Sequence, residues 1–150
     1  MKKINITTIA ATAMLLSATL SSCSTEDPVG KWDPMKWKTE VKTIKEDGQT
    51  FTEVPAEGGT YEYTCKNYSS MWLYNVVEEK KFNDYYNSQD TKVYENKDLQ
   101  KHFDCPAASV NINEAHLTVT IKPNTTGKRR FIETSVSVGD TGNTFKYRQE

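Results

Sequence analysis

From residue 49 to the end of the chain, apolar and polar residues alternate with a period of two over most of the length, and this pattern excludes most folds. In "TYEYTCKNY", Tyr61, Tyr63 and Cys65 fall on one side of an extended backbone, with Thr60, Glu62, Thr64 and Lys66 on the other. Successive side chains of a strand point to opposite faces, so such a segment has one dry face and one wet one. Leu117, Val119 and Ile121 repeat the pattern against Thr118, Thr120 and Lys122. Ile132, Thr134, Val136 and Val138 follow, then Phe145, Tyr147 and Gln149. "TFTEV" is a further short strand that stops at Pro55. Between these runs stand turn signals: "PAEGG", where Gly58 and Gly59 are free to take positive φ, "PNTTG" and "GDTGN". Six or seven short strands, each wet on one face, predict an all-β chain folded as a two-sheet antiparallel sandwich. The last three strands are expected to follow one another through hairpins.

Two stretches depart from this regularity. "MWLYNVV" continues as a strand, with either Trp72, Tyr74 and Val76 or Met71, Leu73 and Val77 inward; its place in a strand makes Trp72 a core residue rather than a ligand platform. Residues 78–108 are charged, tyrosine-rich and without clear period, although "NKDLQKHF" suits a helical turn or two. This is a long insertion, and such insertions in compact domains are often functional. Before residue 49 the chain is polar, with Pro28 and Pro34, and suits a spacer. Trp32, Met35 and Trp37 in "GKWDPMKWK" are expected to dock this arm onto the domain. Gly30, Lys31 and Trp32 also match the Gly-x-Trp opening of lipocalin-like barrels, but Pro34 interrupts any first strand there and the later strands are too few for eight.

The first residues specify export. Lys2 and Lys3 precede an uncharged run over residues 4–20, rich in Ala, Leu, Ile and Thr, which is a secretory signal peptide. Leu20, Ser21, Ser22 and Cys23 resemble a lipobox, in which small side chains fit the peptidase and the cysteine is acylated. Two or three acyl chains hold a protein in a bilayer far better than one, at about 0.8 kcal/mol per buried methylene. Glu26 and Asp27 then resemble the export signal that sends lipoproteins of Bacteroidetes-type bacteria to the outer face of the outer membrane. The expected organisation is a signal peptide over residues 1–22, a tether over 23–48 beginning at lipidated Cys23, and a sandwich over 49–150.

Composition and spacing narrow the chemistry. The formal charge of −1 becomes −3 once Lys2 and Lys3 are removed, and no basic block is present, which argues against nucleic acid. With Cys23 acylated, Cys65 and Cys105 remain on an oxidising side, where a disulfide and two buried free thiols are both open readings. A bridge would close about 40 residues, worth on the order of 4 kcal/mol. Glu78 and Glu79 are adjacent, so on a strand they face opposite ways and do not form a glycosidase pair. His102, Asp104 and Cys105 have no second cluster at ligand spacing, and no nucleophile-elbow motif accompanies Ser, His and Asp. No catalytic residues, metal site or cofactor are therefore expected. Lys128, Arg129 and Arg130 suit a solvated turn. "FNDYYNSQDTKVYEN" differs, because Phe82, Tyr85, Tyr86 and Tyr94 stand among Asn83, Asp84, Asn87, Gln89 and Asp90. Flat aromatic faces with amides and carboxylates beside them suit a glycan or protein contact.

The order of "VPAEGGTYEYTCKN", Trp72, "LTVTIKPNTTGKRRFIETSVSV" and "FKYRQE" resembles a BACON domain, the Bacteroidetes-associated module often found N-terminal to carbohydrate-active enzymes. The likeness spans residues 50–149 and rests on the Glu57, Gly58, Gly59 turn, the spacing from Asn124 to Arg130, and Gln149. It implies an immunoglobulin-like sandwich and a non-catalytic role accessory to glycan or mucin binding. This chain departs from that module in carrying no enzyme domain and in the length of its insertion. A structural or protein-interaction subunit of an envelope complex is the alternative expectation.

Overall fold

The computed structural model describes residues 32–80 and 90–150. Its strands are β1 (Trp37–Lys38), β2 (Ile44–Glu46), β3 (Gln49–Val54), β4 (Gly59–Cys65), β5 (Trp72–Glu79), β6 (Lys92–Glu95), β7 (His102–Asp104), β8 (Ala108–Asn113), β9 (His116–Ile121), β10 (Arg130–Val138) and β11 (Thr141–Gln149). They form two sheets, ordered β1-β4-β9-β8-β7 and β2-β3-β11-β10-β5-β6. The fold is the two-sheet β-sandwich that the alternation predicts, with one parallel ladder, where residues 147–149 of β11 run beside 52–54 of β3.

The alternating positions meet between the sheets as expected. Tyr63, Cys65, Leu117, Val119 and Ile121 from one sheet pack on Val54, Leu73, Ile132, Val136 and Tyr147 from the other. Fully burying an aliphatic or aromatic side chain stabilises by about 1.5–3 kcal/mol, so this layer is the main source of stability. The Tyr147 hydroxyl, fully buried, donates to the Tyr63 hydroxyl at 3.2 Å across the two sheets.

Burial sets a pH limit. It pushes the Tyr147 phenol well above its ordinary value of 10.0, with the neighbouring Tyr63 adding to the shift, and burial raises Tyr63 too. The folded state thus holds these protons more tightly than the unfolded chain. Stability is fully present below the unfolded value and lost as pH climbs past it. Urea midpoints are expected to match at about pH 7 and about pH 9, then fall steeply towards pH 11. Tyr147→Phe should flatten that fall, and an unaltered slope would show that this phenol is not the group responsible.

Several expectations are corrected. The folded unit begins at Trp32, not at residue 49. Asn67 holds the arm by accepting from Lys36 N–H at 2.8 Å and donating to Pro34 O at 3.1 Å, while the Tyr68 hydroxyl donates to Asp33 O at 2.7 Å. Met35 enters the core. Only β10 and β11 of the last three strands form a hairpin, because the chain changes sheets between β9 and β10. No helix forms in "NKDLQKHF"; a turn leads into β7, and β6 and β7 give the described part of the insertion an edge in each sheet. In β5 neither proposed inward set is complete. Leu73 pairs with Val136 and Asn75 with Ser135, leaving Tyr74 as an extra, bulged residue. The bulge changes phase, so Met71, Leu73 and Val76 join the core.

The disulfide reading is corrected as well, because Cys65 and Cys105 are free, buried thiols. Strands β9 and β8 lie between the strand of Cys65 and that of Cys105. Three spacings of about 4.8 Å separate the two edges by about 14 Å. Cys65 N–H donates to Ala115 O at one end of the sheet. Cys105 N–H donates to Ala108 O, and Ala108 is level with Ile121 and Gly59 at the other end. A bridge needs Cα atoms within about 6.8 Å.

Candidate functional site

Along β5, Trp72 and Tyr74 stand two residues apart and both face solvent, at 39% and 65% exposure. At about 3.4 Å per residue their Cα atoms are about 7 Å apart, on a common face. Trp72 is thereby corrected from core to surface. The cause is the phase of the strand, since Leu73 takes the inward position and the bulge leaves Tyr74 outside.

A turn from the insertion borders these rings. Buried Asn96 donates through Nδ2 to Leu73 O at 3.2 Å and to Gln100 O at 2.9 Å, and its Oδ1 accepts from Gln100 N–H at 3.0 Å. Its own N–H donates to Tyr74 O at 3.2 Å. The turn is thus bolted to β5, which places exposed Leu99 and Lys101 nearby. Lys101 Nζ lies 5.5 Å from the Trp72 ring centroid and donates to Met71 O at 2.5 Å and Ser70 Oγ at 3.2 Å. A cation over an indole face fixes the ring. These residues make an aromatic ledge with polar neighbours at the start of β5.

The predicted contact residues are placed differently. Phe82, Tyr85 and Tyr86 lie outside the described residues, as does Cys23. Tyr94 is corrected: its ring packs against the core, and burial raises its phenol, with the Glu78 carboxylate adding to the shift. Its cross-strand partner is Val76, an inward residue, so β6 turns Tyr94 inward too. Glu78 faces Lys92 at 3.5 Å and Arg130 at 3.7 Å, which makes it an ion-pairing residue. Arg130 also donates to Gln149 Oε1 and Lys122 O, both at 2.8 Å, in place of a free turn position. Burial pushes the Cys105 thiol up, which disfavours the nucleophilic thiolate. Among the described residues no group of three metal-ligating side chains comes together.

A concavity of about 840 Å³ lies towards the opposite edges of the two sheets, lined by the 38–42 segment and by residues of β3, β4 and β9. Its walls mix polar and apolar surface, with His116, Glu62, Thr52 and half-buried Tyr61 among them. His116 Nδ1 lies 3.1 Å from Thr64 Oγ1. No motif in the sequence marks either feature. The ledge depends on a bulge and the cleft on where β1 ends.

No family model matches the chain, and neither does any curated protein. A solved structure does: the NMR structure of a protein from Bacteroides thetaiotaomicron is 34% identical, with a TM-score of 0.59. The match covers 85% of this chain and 96% of that one.

Proposed function

Because the chain belongs to the same family as this Bacteroides thetaiotaomicron protein, we propose that it is an outer-membrane lipoprotein, anchored through Cys23 and exposed at the cell surface, whose BACON-like sandwich takes part non-catalytically in glycan capture. The observation that carries the reading is the ledge of Trp72 and Tyr74. Apolar faces of sugar rings stack on exposed aromatic rings, while hydroxyls hydrogen-bond to polar neighbours. Ser70, Gln100 and Lys101 supply such neighbours at the rim. The source of the relative agrees with the Bacteroidetes-type export signal at Glu26 and Asp27.

Affinity electrophoresis of the full chain in gels containing host mucin glycans or plant polysaccharides tests the reading. A retarded band is expected, and the double variant Trp72→Ala, Tyr74→Ala should lose about tenfold in affinity, or about 1.4 kcal/mol. Tyr74 is largely in water and Trp72 is 39% exposed, so the double variant's melting temperature should fall modestly with the fold kept, and Tyr74→Ala alone should leave it nearly unchanged. Absence of retardation, or retardation untouched by the two alanines, would remove the proposal.

A further inference from the structure

Strand β4 has seven residues, but β1 pairs only with Thr64 and Cys65 at its end. The direction of its remaining main-chain groups follows from two hydrogen bonds. Cys65 N–H donates towards β9, to Ala115 O, whereas Lys66 N–H donates the other way, to Lys36 O. Main-chain groups on an antiparallel strand alternate between its two edges. Thr60, Glu62 and Thr64 therefore present their N–H and C=O to the β1 side, while residues 59, 61 and 63 face β9. Thr64 is level with Lys38, and the Thr39 hydroxyl caps Glu62 O at 2.6 Å. The Glu62 N–H and both main-chain groups of Thr60 lie on an edge to which no described strand is added.

The edge belongs to the cleft of about 840 Å³ described above. The facing sheet is also short of a neighbour there, since β2 pairs with β3 only at residues 49–51 and β11 occupies the other edge of β3. We propose that this cleft binds an extended polypeptide segment of a partner envelope protein, which adds to β4 as a strand beside residues 59–63. Five residues of free edge span about 17 Å, matching a segment of four to five residues. The donors and acceptors repeat every second residue, the period of another main chain rather than of a sugar. The 38–42 segment lines the cleft beside this edge. Lys38, Glu40 and Lys42 on that segment form a rim of mixed charge.

The test uses the full chain labelled with ¹⁵N and an end-blocked heptapeptide of alternating threonine and valine with terminal lysines. A second peptide of the same sequence is N-methylated at every amide. With the unmodified peptide, the Thr60 and Glu62 amides are expected to shift and gain protection from solvent exchange, while Tyr61 and Tyr63 stay as protected as before. Thr60→Pro removes the outward N–H without costing a main-chain bond to β9, and gives up only the exposed hydroxyl contact to Thr120 at 3.1 Å, so it should keep the fold and weaken binding about tenfold. No protection at Thr60 and Glu62 at millimolar peptide, equal binding of the methylated peptide, or equal binding by the folded proline variant would each overturn the proposal. Protection of those amides that rises with protein concentration alone would assign the edge to a second copy and overturn it too.

Discussion

Gly58→Ala is expected to destabilise the protein by about 3–5 kcal/mol, enough to remove much of the stability of a domain this size. The turn between β3 and β4 closes with Gly58 N–H donating to Pro55 O at 2.9 Å, and Gly58 sits at φ +88°. A Cβ there would meet Ile121 O at 2.2 Å. That oxygen is main chain within β9, so relief requires moving a paired strand. Gly48 is the natural control, because it also has positive φ, +76°, but nothing within 4 Å of an added Cβ. Gly48→Ala should cost only the conformational penalty, about 1 kcal/mol. Urea unfolding of both variants isolates the contact, and equal losses at the two glycines would show that β9 does not crowd Gly58.

Gln149→Glu is expected to cost about 3–5 kcal/mol at neutral pH, with a loss that depends on pH. Gln149 is fully buried at the end of β11. Its Nε2 donates to Pro55 O at 3.0 Å, Ala56 O at 3.2 Å and Lys122 O at 3.0 Å, and Oε1 accepts from Arg130 Nε at 2.8 Å. One amide thereby ties the six-stranded sheet to the turn before β4 and to the residue after β9. A carboxylate keeps the Arg130 contact but turns a second acceptor oxygen towards three carbonyls. Burial and these carbonyls favour the protonated form, raising the folded-state pKa of the new group above its unfolded value. The variant's stability is then greatest in acid and falls as pH rises through the folded pKa. Gln149→Leu leaves the same carbonyls without a donor but adds no titration, so its loss of about 3 kcal/mol should not change with pH between those limits. Denaturant midpoints at about pH 4.5 and about pH 7 distinguish them. A glutamate variant no less stable than the leucine variant at the higher pH would mean that the three carbonyls find other donors.

Both predictions fall on one junction, where the Pro55 turn, the end of β9 and the end of β11 meet. The Glu57, Gly58, Gly59 turn and Gln149 stood out in the sequence, as a turn signal, the end of a strand and features shared with a family, but not as partners. Their mutual contact joins residues 94 positions apart. The turn at Asp47 and Gly48, both at positive φ, joins β2 to β3. It lies in the polar stretch assigned to the tether, where β2 has three exposed residues and shows no apolar alternation to reveal it. The candidate site was less legible still. Trp72 in a strand suggested core because most strand tryptophans are covered, and the bulge that exposes it arises from pairing with β10. Tyr94, chosen for its aromatic face, turned inward by its register opposite Val76.

Taken alone, the sequence determined that the chain is built of strands and which side of each long strand is dry at Tyr61, Tyr63, Leu117, Val119, Ile132 and Tyr147. Those are local consequences of side chains alternating across an extended backbone. The tertiary structure alone decided which strands share a sheet, where β5 changes phase, that Cys65 and Cys105 sit at opposite corners, and which edge of β4 is left open. Each of these depends on main-chain hydrogen bonds between distant segments, and the main chain is chemically the same at nearly every residue, so the order of side chains does not encode its partners locally.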